Sequence, residues 1–562
     1  MQFKQTLVRL LLIFCPAAAM AQTTYLPQGD KANIVMDRWE IIAGKDSAFN
    51  FSKTKPFGRK QVIGAAENFV KRVGANSLSK VDAYNLRSLY LNNLEYVPAA
   101  GMAQYKSKKP ILKNFYTSPA SLYEVHVKDF DLVINPVIQY TVSKEQDNDQ
   151  DLFLNTRGVS LRGRIANKVG FAAYLTDNQE RSPLYVQQFI SARDAVPGNG
   201  FYKDFKAAGG VDYFDARGYI TFNAAKYIDI TFGYDKNFIG NGQRSLFLSD
   251  FSNNTLFLKL NTRIWKFNYQ NIFMELNSAA RFAADILLPK KYAAMHHLDI
   301  AVSKRVNIGL FEGVVFGRRD KFDFGYLNPV IFYRSIEQQN GSFDNSVVGL
   351  DFKANLPHRL QVYGQLSLDE FKLSEIKNNK GWWANKWGIQ LGAKYIDAFG
   401  IPNLDLQVEH NRVRPFTYSH RDSIANYTHY NQPLAHPLMA NFQEFIGVAR
   451  YQPAPKWLAI AKLMYYQQGR DSSAASYGSN IFLPNTPPYR TSEYGFDIGS
   501  GWKTNVFYAS LLLSYEFREN LFVELNALYR KQETVTAPLT SVNTSVISLG
   551  VRWNMHRRDF EF

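Results

Sequence analysis

The stretch GYITFNAAKYIDITFGYD, residues 218–235, decides how the rest of the chain is read. Ile220, Phe222 and Ala224 point one way and Thr221 and Asn223 the other. After Ala225-Lys226 the alternation resumes, with Ile228, Ile230, Phe232 and Tyr234 opposed to Asp229, Thr231, Gly233 and Asp235. A period of two in both arms, with so short a link, is the pattern of a β-hairpin whose two faces meet different surroundings. The design recurs in LDIAVSKRVNIGL, 298–310: Leu298, Ile300 and Val302 precede a turn at Lys304-Arg305, and Val306, Ile308 and Leu310 follow it.

Outward from these hairpins, the connections alternate in length. Long polar stretches lie near 144–150, 177–210, 236–253, 277–293, 318–342, 371–385, 413–440, 468–503 and 531–543, and between them tight turns fall near 168, 225, 262, 304, 357, 400, 455 and 518. Each interval holds two strands, and one strand at either end brings the count to about eighteen, an even number with short turns on one side and long loops on the other, as in bacterial transmembrane barrels. A solenoid would need a fixed repeat, which the sequence lacks. Nor does any apolar segment beyond the N-terminus approach the ~20 residues of a helical membrane span. The expected fold is therefore all-β, a transmembrane antiparallel barrel over residues 120–562, and its 33 Tyr and 42 Phe suit the aromatic girdles of such a barrel.

The ends of the chain add to this. Lys4 and Arg9 precede LLLIFCPAAA, and Ala19-Met20-Ala21 offers a cleavage site, so residues 1–21 read as a signal peptide. The bulky Phe14 before Cys15 argues for ordinary cleavage rather than lipid attachment. Cys15 is the only cysteine, so the exported chain has no disulfide, thiolate metal site or cysteine nucleophile. Losing the leader removes two cations and no acid, taking the formal charge from +16 to +14. For an exported protein that points to lipopolysaccharide phosphates or acidic polysaccharide and away from nucleic acid. Residues 22–119 form an N-terminal periplasmic segment in which Val62, Ala66, Phe69 and Val73 follow helical spacing, and Ser79 with Asp82 makes a capping box before Leu86, Leu89 and Tyr90. Two helices over 59–96 are predicted, packed as a plug or lid on the barrel's periplasmic mouth, so that deleting them should open it. At the far end SVISLGVRWNM places Ile547, Leu549, Val551, Trp553 and Met555 outward and Ser548, Gly550, Arg552 and Asn554 inward. With Phe562 last, this resembles the signal read by the barrel-insertion machinery.

Catalytic chemistry is hard to find. Gly240-Asn241-Gly242 beside Arg244 has the look of a phosphate cradle but follows a strand with no helix and no Gly-Lys-Ser/Thr behind it, so it reads as a surface-loop turn. His410, His420, His429 and His436 lack the paired spacing of a metal site, the acids show no catalytic pairing, and no serine elbow occurs. A non-enzymatic protein without metal or cofactor is expected. The loops are instead rich in Trp, Tyr, Asn and Arg, as in GWWANKW (381–387), FGYLNPVIFYRS (324–335) and YGSNIFLPNTPPYR (477–490). Such residues stack on sugar rings and bond to hydroxyls and carboxylates.

Three segments, MDRWEIIAGKDSAFNFSKTKPFGRKQV (36–62), GYDKNFIGNGQRSLFLSD (233–250) and FEGVVFGRRDKFDFGYLNPVIFYRS (311–335), together with the strand count, resemble the Wzi-like capsule-assembly outer-membrane proteins. The resemblance implies an eighteen-stranded barrel with a periplasmic helical closure. Its loops would bind capsular or other surface polysaccharide, lectin-like, on a monomer set in outer-membrane lipid and lipopolysaccharide. It implies ligand contacts at Arg244 and Asp250 in one segment and Asn328, Tyr333 and Arg334 in another. The long 177–210 and 468–503 loops depart from the family pattern. Two alternatives stand beside this: a porin-like channel lined by Asp229, Thr231, Arg552 and Asn554, or an envelope component of a secretion system. For the arginines the alternative is a lumenal role holding strands together through internal ion pairs.

Overall fold

A computed structural model describes residues 23–46, 49–206, 209–279, 287–318, 321–341, 343–472, 475–535 and 539–562. The expected signal peptide lies outside these. The deciding hairpin is present, its arms paired antiparallel with Ile220 opposite Phe232 and Thr221 opposite Thr231. The two threonine hydroxyls meet at 3.1 Å on the buried face while Ile220 and Phe232 are exposed on the other. A bulge between Asn223 and Ala225 moves the turn one residue on, to Lys226-Tyr227.

Eighteen such strands close into one barrel. They are β1 (Phe130–Glu145), β2 (Leu152–Ile165), β3 (Val169–Arg181), β4 (Gly210–Ala225), β5 (Ile228–Asp235), β6 (Thr255–Ile264), β7 (Phe267–Asn277), β8 (Lys290–Ala301) and β9 (Val306–Phe316). The second half comprises β10 (Asn345–Leu356), β11 (Leu360–Glu370), β12 (Lys386–Tyr395), β13 (Leu404–Val413), β14 (Phe442–Ala454), β15 (Trp457–Arg470), β16 (Trp502–Arg518), β17 (Leu521–Thr534) and β18 (Thr540–Trp553). Each pairs antiparallel with the next, and β18 closes on β1 with Leu549 opposite Val142 and Val551 opposite Tyr140. Closure leaves no unpaired edge, which a membrane requires because lipid satisfies no backbone group. Alternation then sorts the side chains: Ile547, Leu549 and Val551 are 64%, 54% and 43% exposed on the outer wall.

The mouth at the short-turn end is filled by three helices, α1 (Lys31–Ala43), α2 (Arg59–Val73) and α3 (Lys80–Leu91). As expected, the Ser79 hydroxyl accepts from the Asp82 N–H (3.0 Å) and donates to its carboxylate (2.7 Å). The helices have a core of their own, with Trp39 stacked on Phe69 at 4.9 Å over Val62, Ile63, Ala66 and Leu89. Sequence reading missed α1, since Ile34, Val35, Met36, Trp39, Ile41 and Ile42 leave it little polar face. Its charged residues are matched by the barrel instead: Lys31 with Glu516 (2.5 Å) and Glu519 (2.7 Å), Arg38 with Asp397 (2.5 Å) and Asp405 (2.6 Å).

The C-terminus departs from expectation. β18 ends at Trp553, and Asn554, a residue type that tolerates the left-handed region, turns the chain with φ 52°. Met555, expected outward, is buried, and residues 556–562 run back inside the barrel. Arg557 pairs with Glu524 (3.0 Å), Arg558 with Glu180 (3.0 Å) and Glu561 with Lys462. Phe562 packs on Phe189 at 4.7 Å. The tail buries Met555 and half-buries Phe560 and Phe562 while matching its charges to the wall, a combination that an end in water or in lipid does not offer.

Candidate functional site

The Gly240-Asn241-Gly242 segment lies on the β5–β6 connection, which folds into the lumen. A Cβ on Gly242 would lie 2.4 Å from Glu409 Oε2 and 2.8 Å from the Arg244 carbonyl oxygen, so only glycine fits. In that space Glu409 of β13 accepts the backbone N–H groups of Gln243 (2.7 Å) and Arg244 (3.1 Å) and the Tyr363 hydroxyl (2.8 Å). The cradle is a backbone nest for an anion, and the anion is a carboxylate of the barrel's own wall.

Arg244 is held in the same network. Its Nη2 donates to the Glu561 carbonyl at 2.7 Å and lies 3.5 Å from Glu444, whose other oxygen is 2.8 Å from His436 Nε2. Asp250, on the same loop, accepts Lys236 Nζ at its carbonyl oxygen (2.8 Å). Residues 414–441 fold inward to meet this loop. The Tyr418 hydroxyl donates to the Leu246 carbonyl (2.8 Å), the Tyr427 hydroxyl to that of Phe247 (2.7 Å), and the Ser249 N–H to that of Leu434 (2.8 Å). His429 accepts from the Asn277 N–H and donates to the Asn254 carbonyl, both at 2.9 Å. Burial, with the Lys291 charge adding to it, holds its pKa down to about 3. Leu246, Phe247, Leu248, Leu434 and Leu438 join inward side chains such as Phe311, Ile272 and Val506 in one core, so apolar packing fills the lumen on that side.

The remaining parts of the long loops form the outward face of this end. Segments 371–385 and 475–501 are joined by backbone bonds, Gly495 N–H to the Lys380 carbonyl and Phe496 N–H to that of Gly381 (2.9 Å each). Arg414 clamps them, donating to the carbonyls of Asn385 (2.8 Å), Phe496 (2.8 Å) and Trp382 (3.3 Å). The Arg490 guanidinium lies 4.3 Å from the Trp383 ring centre, and the indole N–H donates to Glu493 at 2.8 Å. Trp382 stands beside it at 6.3 Å, and Tyr489 and Tyr494 are exposed on the same segment. Two of the three aromatic stretches picked out from sequence are thus brought together.

The third is elsewhere. Residues 321–340, with the short helix α4 (Tyr333–Gln339), lie against the outer wall of β7–β10. Tyr333 is fully buried there, stacked on His296 at 4.3 Å, and the Arg334 side chain, 45% exposed, pairs with Glu337. Asn328 is exposed, its side-chain oxygen accepting the Val330 N–H (3.1 Å). The five positions carried over from the resemblance therefore do not converge: Arg244 and Asp250 belong to the lumenal loop, Asn328, Tyr333 and Arg334 to the outer strap. Among the described residues no group of three or more His, Cys, Asp or Glu is arranged to hold a metal ion.

With this geometry in hand, the protein can be set beside known ones. No family model and no curated protein sequence matches the chain. Among solved structures, Wzi, an outer membrane protein involved in group 1 capsule assembly in Escherichia coli and a carbohydrate-binding β-barrel, superposes with a TM-score of 0.57 at 12% identity. The match covers 95% of this chain and 100% of that one. The likeness is one of fold. Pseudomonas aeruginosa OprD (TM-score 0.40, 10% identity, 76% of this chain and 94% of that) and Acinetobacter baumannii OccAB4 (0.41, 9%, 76% and 98%) are more distant barrels. The Wzi match spans helices and barrel together, the arrangement the sequence resemblance implied.

Proposed function

We propose that the protein is a non-enzymatic outer-membrane barrel that binds surface or capsular polysaccharide on its long-loop face. The observation that carries this reading is the interlocked platform of Trp382, Trp383, Tyr489 and Tyr494, fixed from beneath by the buried Arg490, above the apolar core that the inward loops build on one side of the lumen. Flat aromatic faces fixed in place cover the C–H faces of sugar rings at little entropic cost, and Arg490, bonded to the Asn485 and Ser492 carbonyls beneath Trp383, does the fixing. The carbohydrate-binding barrel of like fold supports the same choice. Arg244, Asp250, Asn328, Tyr333 and Arg334 are kept out of this site because their positions do not meet on it.

The test is titration calorimetry of the detergent-purified protein with short oligosaccharides selected on a glycan array. Trp382→Ala is expected to weaken the best ligand about tenfold, a loss of about 1.4 kcal/mol. Arg244→Ala should leave affinity unchanged in protein that remains folded. Affinity lost with Arg244 and kept without Trp382 would move the site into the lumen, and a wide steady conductance with no sugar binding would favour a porin.

A further inference from the structure

The outer wall carries a feature that polysaccharide binding leaves unused. Successive outward residues of β9 are Val306, Ile308, Leu310, Glu312, Val314 and Phe316. Ile308 and Leu310 are exposed where lipid would lie, and Leu350 beside Leu310 is exposed with them. One row on, the same face presents Glu312, paired across the sheet with His296, which in turn is opposite Asn271. A carboxylate in the fourth row of a lipid-facing strand would be costly if bare, since an apolar band ~25 Å tall takes in about five rows of a tilted strand. It is not bare. Residues 321–340 cover it, and Glu312 accepts the N–H groups of Tyr333 (2.8 Å) and Arg334 (2.9 Å), the first of α4. His296 bonds to Glu312 at 2.8 Å and to the Tyr269 hydroxyl at 3.0 Å, and that hydroxyl donates to the Pro329 carbonyl.

Tyr326, Tyr333 and Ile336 pack down onto the outward side chains Phe273, Tyr292, Val314 and Phe316. Arg318 pins the strap's start to Asp344 (2.5 and 2.6 Å), and the Tyr326 hydroxyl donates to the same carboxylate (2.6 Å). Away from the wall the strap turns out Phe324, Val330 and Phe332, which are 79%, 82% and 57% exposed. The run Phe324–Phe332, FGYLNPVIF, holds no charged residue.

We infer that this strap is a membrane-embedded part of the protein, with Phe324, Val330 and Phe332 in the acyl chains of the leaflet at the long-loop end. It continues the barrel's apolar belt over a polar patch that lipid could not cover. Two observations select lipid as the occupant: the exposed residues run on directly from Ile308, Leu310 and Leu350, and the run Phe324–Phe332 that carries them offers no charge for a protein partner to read. Bare Glu312 would attract water into the belt, whereas Glu312 bonded to a helix N-terminus and capped by apolar residues does not.

The experiment uses single-cysteine variants Phe324→Cys, Val330→Cys and Phe332→Cys in a Cys15→Ala background, labelled with an environment-sensitive fluorophore and reconstituted in phospholipid vesicles. Lys377→Cys, exposed on another long loop, is the reference. Quenching by acyl-chain spin-labelled lipid should be about threefold stronger at the strap than at the reference, as for groups ~5–10 Å inside the headgroup boundary. Three positions are read so that one misfolded variant, recognised by lost heat-modifiable migration, leaves two. Equal quenching at strap and reference overturns the inference, as does shielding accompanied by disulfide-linked dimers of unlabelled Val330→Cys, which would make a second copy the occupant. Glu312→Ala should release the strap and bring its quenching down to the reference; a strap that stays in lipid without Glu312 would refute the anchoring role given to that residue.

Discussion

Glu409 shows how one side chain decides what a motif means. The glycines around Asn241 open a backbone nest, and the nest is occupied from within, so the segment organises the lumen. Glu409→Ala would leave the N–H groups of Gln243 and Arg244 buried without an acceptor. Each such group costs about 1–3 kcal/mol, so we expect a lower melting temperature by heat-modifiable migration, with Glu409→Gln intermediate because it keeps one acceptor oxygen. A residue facing an external ligand would give little change in the empty protein. Arg38 is the counterpart in the helices, buried between Asp397 and Asp405. Arg38→Leu leaves buried carboxylates short of their partner, a situation worth about 3–5 kcal/mol, and should make α1 sensitive to trypsin while the barrel resists.

Among the elements, the inward loops respond to pH. His429 is held down to about 3, and His556 of the tail down to about 4 by burial and the Arg217 charge. Both imidazoles stay neutral in the folded protein where an unfolded one takes up a proton. Their contribution is therefore full above the ordinary imidazole value near pH 6.5 and is lost as pH falls towards 4 and then 3. Glu95, held down to about 2 by Arg162 against the cost of its burial, acts in the same direction at lower pH. Loop closure should thus weaken between about pH 6 and 4, well before the strands separate. Protease cleavage within 414–441 against pH measures this; cleavage equal at pH 7 and pH 4 would contradict it. The helices at the other mouth are legible in sequence where capping and apolar spacing are local, as at Ser79 and Val62 to Val73, but not for α1, whose charges are answered only across space.

At the scale of the whole molecule, the barrel has two closures in series, helices at the short-turn end and loops with the tail inside. Deleting residues 59–96 should therefore fail to open a wide pore, against the expectation from the helices alone. Planar-bilayer recording checks this: conductance should stay low in both forms and rise only when segment 414–441 is also shortened. A large open channel in the helix deletion would mean the inward loops do not seal.

The amino-acid sequence by itself determined the barrel, its strand number, its turns and which residues of each hairpin point outward, because alternation is a local, period-two property and each hairpin declares its faces within a few residues. It also marked the aromatic loops. Only the tertiary structure decided where the loops go. Nothing local distinguishes Arg244 on a lumenal loop, Arg490 beneath the outward aromatic platform and Arg334 on the outer wall; each is a cation in a polar, aromatic-rich stretch. What separates them is the partner each meets: Glu444 and the tail's carbonyl, Trp383 and Glu493, or Glu337 on a strap held by Glu312. Those partners lie far away in the chain or are aimed by the fold, and burial in three dimensions, rather than composition along one, sets what each charge can do.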